Sequence, residues 1–156
     1  MTTTPVVIDT NVLVALVDAR DKWHQTAVQL RDALSAAGAS LVYFDCVVNE
    51  AIGVLGRRAE EQRRSDQFVP LLDQLASLVP AANITWIAAS GQHLYEAVLQ
   101  LCRDHGGRLN YHDALIALIC RQLALGWIVS FDGDFDDITW LSRIAAQSDV
   151  AHISTG

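Results

Sequence analysis

The sequence predicts an α/β fold, a three-layer sandwich in which a mostly parallel central sheet of about four to five strands lies between helices. Short apolar runs rich in Val, Ile and aromatic residues recur along the chain, as expected of strands buried on both faces. Longer segments with apolar residues at helical spacing separate these runs and can cross over between parallel strands. The chain of 156 residues is therefore expected to form a single domain over residues 1–156.

The first strand and the helices that follow it occupy the N-terminal part of the chain. Residues 6–8, Val-Val-Ile, are typical of a short buried strand, and this run ends at Asp9. A helix is expected over residues 12–17. A second helix is expected over residues 21–37, where apolar residues recur at helical spacing and Gly38 stands where a C-cap is expected.

The middle of the chain continues the alternation of strand and helix. Residues 41–44, Leu-Val-Tyr-Phe, form the second strand candidate. Asp45 is placed to cap a helix that runs to about residue 57. The mixed charges of residues 57–64 favour a solvated helical face or turn over a nucleic-acid contact. Ser65 is then placed to cap a further helix, whose apolar residues recur from 68 to 78.

The third and fourth strand candidates enclose two helices. Residues 84–87 form the third strand, and Ser90 is placed to cap a helix that closes near Gly106. A helix of nearly continuous apolar character is expected over residues 110–125, which predicts burial on several sides. Residues 127–130 form the fourth strand.

An acidic segment, residues 132–137, follows the fourth strand. Its sequence D-G-D-F-D-D is similar to the start of a calcium-binding loop. However, the sixth position is Asp137 instead of Gly and the twelfth is Arg143 instead of Glu, which excludes an EF-hand. A short helix over residues 138–144 and a last edge strand over residues 150–153 are expected to complete the chain.

Composition and charge narrow the possible functions. Acidic residues outnumber Lys and Arg by 18 to 11, and the net charge of −7 argues against binding nucleic acid through a general basic surface. The 3 cysteines lie far apart without a C-x-x-C pair, so neither a disulfide framework nor a zinc ribbon is expected. The sequence shows no signal peptide and no run of membrane-spanning length, which predicts a soluble cytoplasmic protein without a membrane partner.

Acidic residues stand at comparable places in the predicted fold. Asp9 follows the first strand, and Glu50 lies in the opening turns of the helix after the second strand. Asp113 lies in the first turn of the most apolar helix, and both Asp132 and Asp134 follow the fourth strand. Because the carboxyl ends of parallel strands share one edge of a sheet, these carboxylates are expected to converge there.

Each acidic residue also has a structural interpretation when it is considered alone. Asp9 could cap the first helix, and Asp113 could complete a capping pair with Asn110. Asp132 and Asp134 could form Asx turns. Together, however, the carboxylates would repel each other unless cations were bound, and oxygen-only ligation favours Mg²⁺ or Mn²⁺. Phosphodiester hydrolysis is the chemistry that such a site suits best.

Four short motifs carry these acidic residues. They are V-I-D-T-N-V-L at residues 7–13, Asn49-Glu50, Y-H-D-A-L-I-A at residues 111–117 and S-F-D-G-D-F at residues 130–135. In this order the motifs resemble those of the PIN-domain nucleases and, within them, of the VapC-like toxins of toxin–antitoxin pairs. The resemblance runs almost end to end, and the combination of motifs makes it specific.

The resemblance implies a PIN-like fold and a ribonuclease that uses Mg²⁺ or Mn²⁺ to hydrolyse single-stranded RNA. Asp9, Glu50 and Asp113 match the metal-binding acids of the family, and Asp132 or Asp134 supplies a fourth. All five are expected to be catalytic. The expected direct metal ligands are Asp9, Asp113 and Asp132.

The resemblance also implies orienting residues and partners. Asn11 matches a residue that orients the first acid by hydrogen bonding, and Ser130 matches a small hydroxyl residue, more often Thr. Phe131 stands where a polar or basic residue is common, and the chain carries extra sequence around residues 57–80. Members of the family commonly form homodimers, and an antitoxin segment that enters the acidic site inhibits them. RNA, an antitoxin and a second copy of the chain are therefore the expected partners.

Three other functions compete with the toxin. A housekeeping PIN nuclease of RNA processing would share the site and lack an antitoxin. An HD-type metal phosphohydrolase is suggested by His105 and by His112-Asp113, but that class is helical and needs several His ligands. A non-catalytic module could keep the acidic cleft only to capture an Arg-rich partner.

Overall fold

A five-stranded parallel sheet forms the centre of the protein, with the strand order β3-β2-β1-β4-β5. The structure is a computed structural model, and it describes residues 2–155. The strands are β1 (Thr4–Ile8), β2 (Ala39–Phe44), β3 (Ile84–Thr85), β4 (Trp127–Val129) and β5 (Ser142–Ile144). β1 is the central strand, and the Val-Val-Ile run that predicted it is buried on both faces.

Helices lie on the sheet in two groups and complete the predicted α/β sandwich. The helices are α1 (Thr10–Val17), α2 (His24–Ala36), α3 (Asp45–Glu61), α4 (Phe68–Leu78), α5 (Gly91–Asp104) and α6 (Tyr111–Gln122). α1 packs against α2 and α3, whereas α5 packs against α6. Within residues 2–155, no helix is both long enough and apolar enough to span a membrane.

The strand register brings three chain segments to one edge of the sheet. Val6 pairs with Leu41 across β1 and β2, and Ile8 pairs with Val129 across β1 and β4. The backbone N–H of Asp9 continues this ladder by donating to the carbonyl oxygen of Val129 at 3.0 Å. The residues that follow β1, β2 and β4 therefore emerge side by side, as expected of parallel strands.

Helix α6 is buried over most of its surface, as its apolar sequence predicted. Every residue from Ala114 to Cys120 is buried. The Asn110 side chain accepts the backbone N–H of Asp113 at 2.9 Å and so caps the helix. The helix ends at Gln122, before the predicted residue 125, and Ala124 then adopts a positive φ of 54°.

Two elements near the C-terminus were predicted wrongly. The expected helix over residues 138–144 is wrong, because residues 142–144 form β5 and pair with β4. The expected strand over residues 150–153 is also wrong, because Gln147–Thr155 is a 3-10 helix. Val150 and Ile153 are both buried, and their spacing of three residues is the repeat of that helix.

Capping differs from the sequence prediction at Asp45 and Ser90. Asp45 is the first residue of α3, and its carboxylate accepts the N–H groups of Ile87 at 2.9 Å and Ala88 at 3.1 Å. It therefore fixes the turn after β3, which ends at Thr85 and not at residue 87. Ser90 occupies the N-cap position of α5 without a side-chain hydrogen bond to that helix.

Capping also differs from the prediction at Ser65, at the end of the charge run. The segment Ser65–Gln67 is a short 3-10 helix, and Gln67 is the N-cap of α4. Within the run, Arg64 is buried and pairs with Asp18, so this cation does not belong to a solvated face.

Candidate active site

Asp9 is the buried carboxylate of the candidate site and lies at the carboxyl end of β1. It is the N-cap of α1, and its Oδ1 accepts the backbone N–H of Thr10 at 2.8 Å. Its Oδ2 accepts the Ser130 hydroxyl at 2.7 Å. Asp9 is only 6% exposed, so this carboxylate both caps a helix and faces the other acids.

The environment of Asp9 makes its ionisation unfavourable. Burial raises the pKa of Asp9 to about 6, and repulsion from Glu50 and Asp132 adds to the rise. The hydrogen bonds from Ser130 and from the Thr10 backbone oppose this rise, because both stabilise the charged form. A positive charge beside Asp9 would therefore favour its anionic form.

Ser130 connects the chain segments on either side of the site. Its side chain is fully buried, and its hydroxyl donates to Asp9 while its oxygen accepts the backbone N–H of Asp132 at 3.0 Å. The Asn11 amide N–H also approaches this oxygen at 3.3 Å, and the Asn11 amide oxygen accepts the backbone N–H of Phe131 at 3.2 Å. Asn11 thus contacts Ser130, which in turn holds Asp9.

Glu50 reaches the site from helix α3. Its Oε2 accepts the Thr10 hydroxyl at 3.1 Å, and its side chain is 37% exposed. The His112 ring lies 3.9 Å from the same oxygen. The nuclease interpretation of the sequence assigned no site role to Thr10 or His112, although each stands beside a predicted acid in its motif.

Asp113 reaches the site from the first turn of α6. Burial raises the pKa of Asp113 to about 7, and repulsion from Asp9, Glu50 and Asp132 contributes. Its backbone N–H donates to the Asn110 side chain, so the predicted structural relation between these two residues is present, while the catalytic role of Asp113 stays a prediction.

Asp132 and Asp134 differ in their relation to the other carboxylates. Asp132 is among the principal charges that raise the pKa of Asp9 and of Asp113, whereas Asp134 is not. The Asp132 carboxylate accepts the backbone N–H of Asp134 at 2.9 Å, which is the predicted Asx turn. Burial and the neighbouring Asp132 raise the pKa of Asp134. Asp132 is thus the member of the pair that the fold brings to Asp9.

The donor set of the site fits a hard divalent cation. Within the described part of the chain, no Lys or Arg forms an ion pair with Asp9, Glu50, Asp113 or Asp132. Nor do any three His, Cys, Asp or Glu side chains of residues 2–155 stand close enough together to form a ready metal site. The carboxylate oxygens are nevertheless the ligand type of Mg²⁺ and Mn²⁺. The pKa values of Asp9 and Asp113 are raised mainly by burial and further by repulsion from the neighbouring carboxylates, so a bound cation would favour the charged form of both groups.

Fold and site together define an α/β protein with carboxylates gathered at the carboxyl edge of a parallel sheet. The PIN domain family model matches residues 6–141, and the chain belongs to this family. The structure is similar to the crystal structure of Mycobacterium tuberculosis VapC20, described as a toxin that cleaves the sarcin-ricin loop. The TM-score is 0.65 at 21% sequence identity, over 86% of this chain and 95% of that chain. No curated protein matches the sequence.

Proposed function

We propose that the protein is an endoribonuclease that depends on Mg²⁺ or Mn²⁺ and hydrolyses phosphodiester bonds of single-stranded RNA. The observation that carries this proposal is the position of four carboxylates from separate segments: Glu50 and Asp132 lie near enough to raise the pKa of both Asp9 and Asp113. Membership of the PIN family supports it.

In this proposal Asp9, Asp113 and Asp132 hold the cation. When bound there, a divalent cation offsets the carboxylates and the negative charge that develops on the phosphate during hydrolysis. Ser130 keeps the Asp9 carboxylate in position and favours its ionised form. Glu50 is exposed enough to meet entering water, and we assign to it the uptake of the water's proton. Asp134 orders the turn after β4 beside the site.

The biological role that we propose is that of the toxin in a toxin–antitoxin pair. The structural similarity to VapC20, which is described as a toxin, supports this role. The partners would then be RNA, an antitoxin that covers the acidic site and a second copy of the chain, all in the cytoplasm. The cations of this antitoxin would complement the uncompensated carboxylates.

Cleavage of a single-stranded RNA in the presence of Mn²⁺ tests the enzymatic proposal. Asp9→Asn and Asp113→Asn should each lower the cleavage rate by roughly a hundredfold or more, since each removes the negative charge of a proposed metal ligand. Asp32→Asn is the matched control, because Asp32 is an exposed acid on α2 that pairs with Arg31. It should cleave as the wild type does.

Two results would contradict the proposal. Variants with unchanged thermal stability that cleave as fast as the wild type would place the activity elsewhere. A wild type that binds Mn²⁺ but cleaves no RNA would favour a non-catalytic acidic module.

For the toxin role, expression of the wild type should arrest bacterial growth and expression of Asp9→Asn should not.

A further inference from the structure

Two aromatic rings stack on each other beside the acidic site. The centroids of the Trp23 and Phe131 rings lie 5.0 Å apart, and the ring planes differ by 18°. Phe131 follows Ser130 directly, and its backbone N–H is bound to Asn11. Trp23 remains 42% exposed, so the stack presents a large aromatic surface to solvent.

The chain fixes Trp23 in place before helix α2. The Asp21 carboxylate accepts the backbone N–H of Trp23 at 2.8 Å, and the same carboxylate pairs with Arg58 of α3. Stacking on Phe131 fixes the ring from the side of β4. A ring that is held in this way loses little conformational freedom when a flat ligand stacks on it.

Cationic side chains surround Trp23, although the chain as a whole is acidic. The Nζ of Lys22 lies 5.5 Å from the centre of the Trp23 ring. Trp23 also lines an open cavity of about 330 Å³. Among the charged side chains that line this cavity, the cations outnumber the carboxylates by two. These side chains are Arg20, Lys22, Arg58, Arg64, Asp18 and Asp21. Arg58 and Arg64 are paired with the two carboxylates, whereas within the described residues the side chains of Lys22 and Arg20 form no ion pair.

We propose that Trp23, supported by Phe131, stacks on the base of a nucleotide next to the cleaved bond, and that Lys22 and Arg20 contact its phosphates. This proposal rests on the ribonuclease function proposed above. Aromatic stacking with cations alongside is the usual way to bind single-stranded nucleic acid without reading its sequence. The stack also gives a function to Phe131, whose ring supports that of Trp23.

RNA is a better occupant of this surface than a peptide strand, because the strand that leads to Phe131 has no free edge among the described residues. Phe131 follows β4, which has β1 and β5 as neighbours on its two sides. The local excess of cations complements phosphate, and one end of the surface adjoins the acidic site through Ser130 and Asn11. A strand of RNA on Trp23 would therefore lead directly to the proposed cation site.

Equilibrium binding of a fluorescein-labelled single-stranded RNA of mixed sequence tests the proposal. The measurement uses fluorescence anisotropy in an Asp9→Asn background, in which the expected loss of cleavage leaves the RNA largely intact while binding is measured. Adding Trp23→Ala should raise the Kd by roughly tenfold, the expected loss for one stacked base, whereas Trp23→Phe should retain most of the affinity. Lys22→Gln should weaken binding less and should reduce its dependence on salt.

Trp86→Ala is the matched control, because Trp86 is an exposed tryptophan that follows β3, two strands from β1. Its Kd should stay within about twofold of the parent, well below the loss of one stacked base. In cleavage assays with otherwise wild-type protein, Trp23→Ala should raise KM and change kcat little, since the stack binds the substrate outside the reacting centre.

The possible failures can be told apart. If the wild type cleaves RNA and Trp23→Ala binds RNA as tightly as its parent, the stacking proposal is wrong and the ribonuclease proposal stands. An equal loss with Trp86→Ala also overturns it. If the Asp9→Asn parent binds no RNA and the wild type cleaves none, both proposals fail. Because Trp23→Ala could disturb α2, unchanged binding by Lys22→Gln at low salt is a second result that counts against it.

Discussion

The most informative single residue is Ser130, since its hydroxyl makes the only side-chain hydrogen bond to Asp9 within residues 2–155. We predict that Ser130→Ala raises the pKa of Asp9, because the charged carboxylate loses a donor. The acid limb of the cleavage rate should therefore move to higher pH. The backbone N–H of Asp132 also loses its acceptor, and the free energy of unfolding should fall by about 0.5–1.5 kcal/mol. A pH–rate profile and urea denaturation measure the two effects.

Ser130→Thr provides the control at this position, because it keeps the hydroxyl group. Its acid limb should stay with that of the wild type, even if the added methyl group lowers stability in this fully buried place. If Ser130→Ala loses stability while its acid limb stays unchanged, Ser130 has a structural role alone.

At the scale of elements, a buried ion pair joins the ends of two helices. Asp18 is the C-cap of α1, and Arg64 follows α3; they are 2% and 8% exposed. Arg64 donates to both carboxylate oxygens of Asp18, at 2.6 Å and 3.3 Å. Burial alone would raise the pKa of Asp18, but these hydrogen bonds and that from the Arg20 backbone lower it below its usual value. The stability from this group is therefore present above about pH 4 and lost as the pH falls further.

We predict that Arg64→Met lowers the free energy of unfolding by about 3–5 kcal/mol at pH 7, because it leaves the Asp18 carboxylate buried and unpaired. The double variant Asp18→Leu/Arg64→Met should lose less than Arg64→Met alone, since it buries no unpaired charge. Urea denaturation of both variants and of Asp18→Leu completes a double-mutant cycle. An additive double variant would mean that the pair does not couple α1 to α3.

The sequence predicted the elements that have a strong periodic pattern of apolar residues. It did not predict features that depend on pairing with a distant part of the chain. The Val-rich run of β1 and the apolar helix α6 are determined by their own residues. β5 has three residues, of which only Ile144 is buried, so its identity comes from pairing with β4. Arg64 looks like any other cation in a mixed charge run, and only the position of Asp18 makes it a buried partner.

At the scale of the whole molecule, topology explains why the acids could be predicted as a group. Parallel strands place their carboxyl ends at one edge, so Asp9 and Asp132 could be expected to meet before any contact was known. The contacts between individual side chains could not be predicted in this way. Thr10 and Glu50 lie 40 residues apart, and the stacking of Trp23 on Phe131 depends on the loop that Asp21 fixes. Local sequence does not encode such contacts.

Cation binding should change how the stability of the whole molecule depends on pH. The pKa values of Asp9 at about 6 and of Asp113 at about 7 exceed the value of roughly 3.9 for an unfolded Asp. At pH values between the unfolded and the folded pKa, Asp9 and Asp113 are therefore protonated in the folded protein and ionised in the unfolded chain. The stability that these groups contribute without metal is present below about pH 4 and is lost as the pH rises toward 7.

We predict that Mn²⁺ restores this stability at high pH, because it binds the ionised carboxylates of the folded state only. At pH 8, Mn²⁺ at a hundred times its Kd should add about 2.7 kcal/mol, whereas at pH 5 protons compete for Asp9 and Asp113 and the gain should be small. Melting curves with and without Mn²⁺ at both pH values measure the effect. Asp113→Asn should reduce the gain at pH 8, and Asp32→Asn should keep it. A melting temperature that millimolar Mn²⁺ leaves unchanged at pH 8 would rule out the proposed cation site.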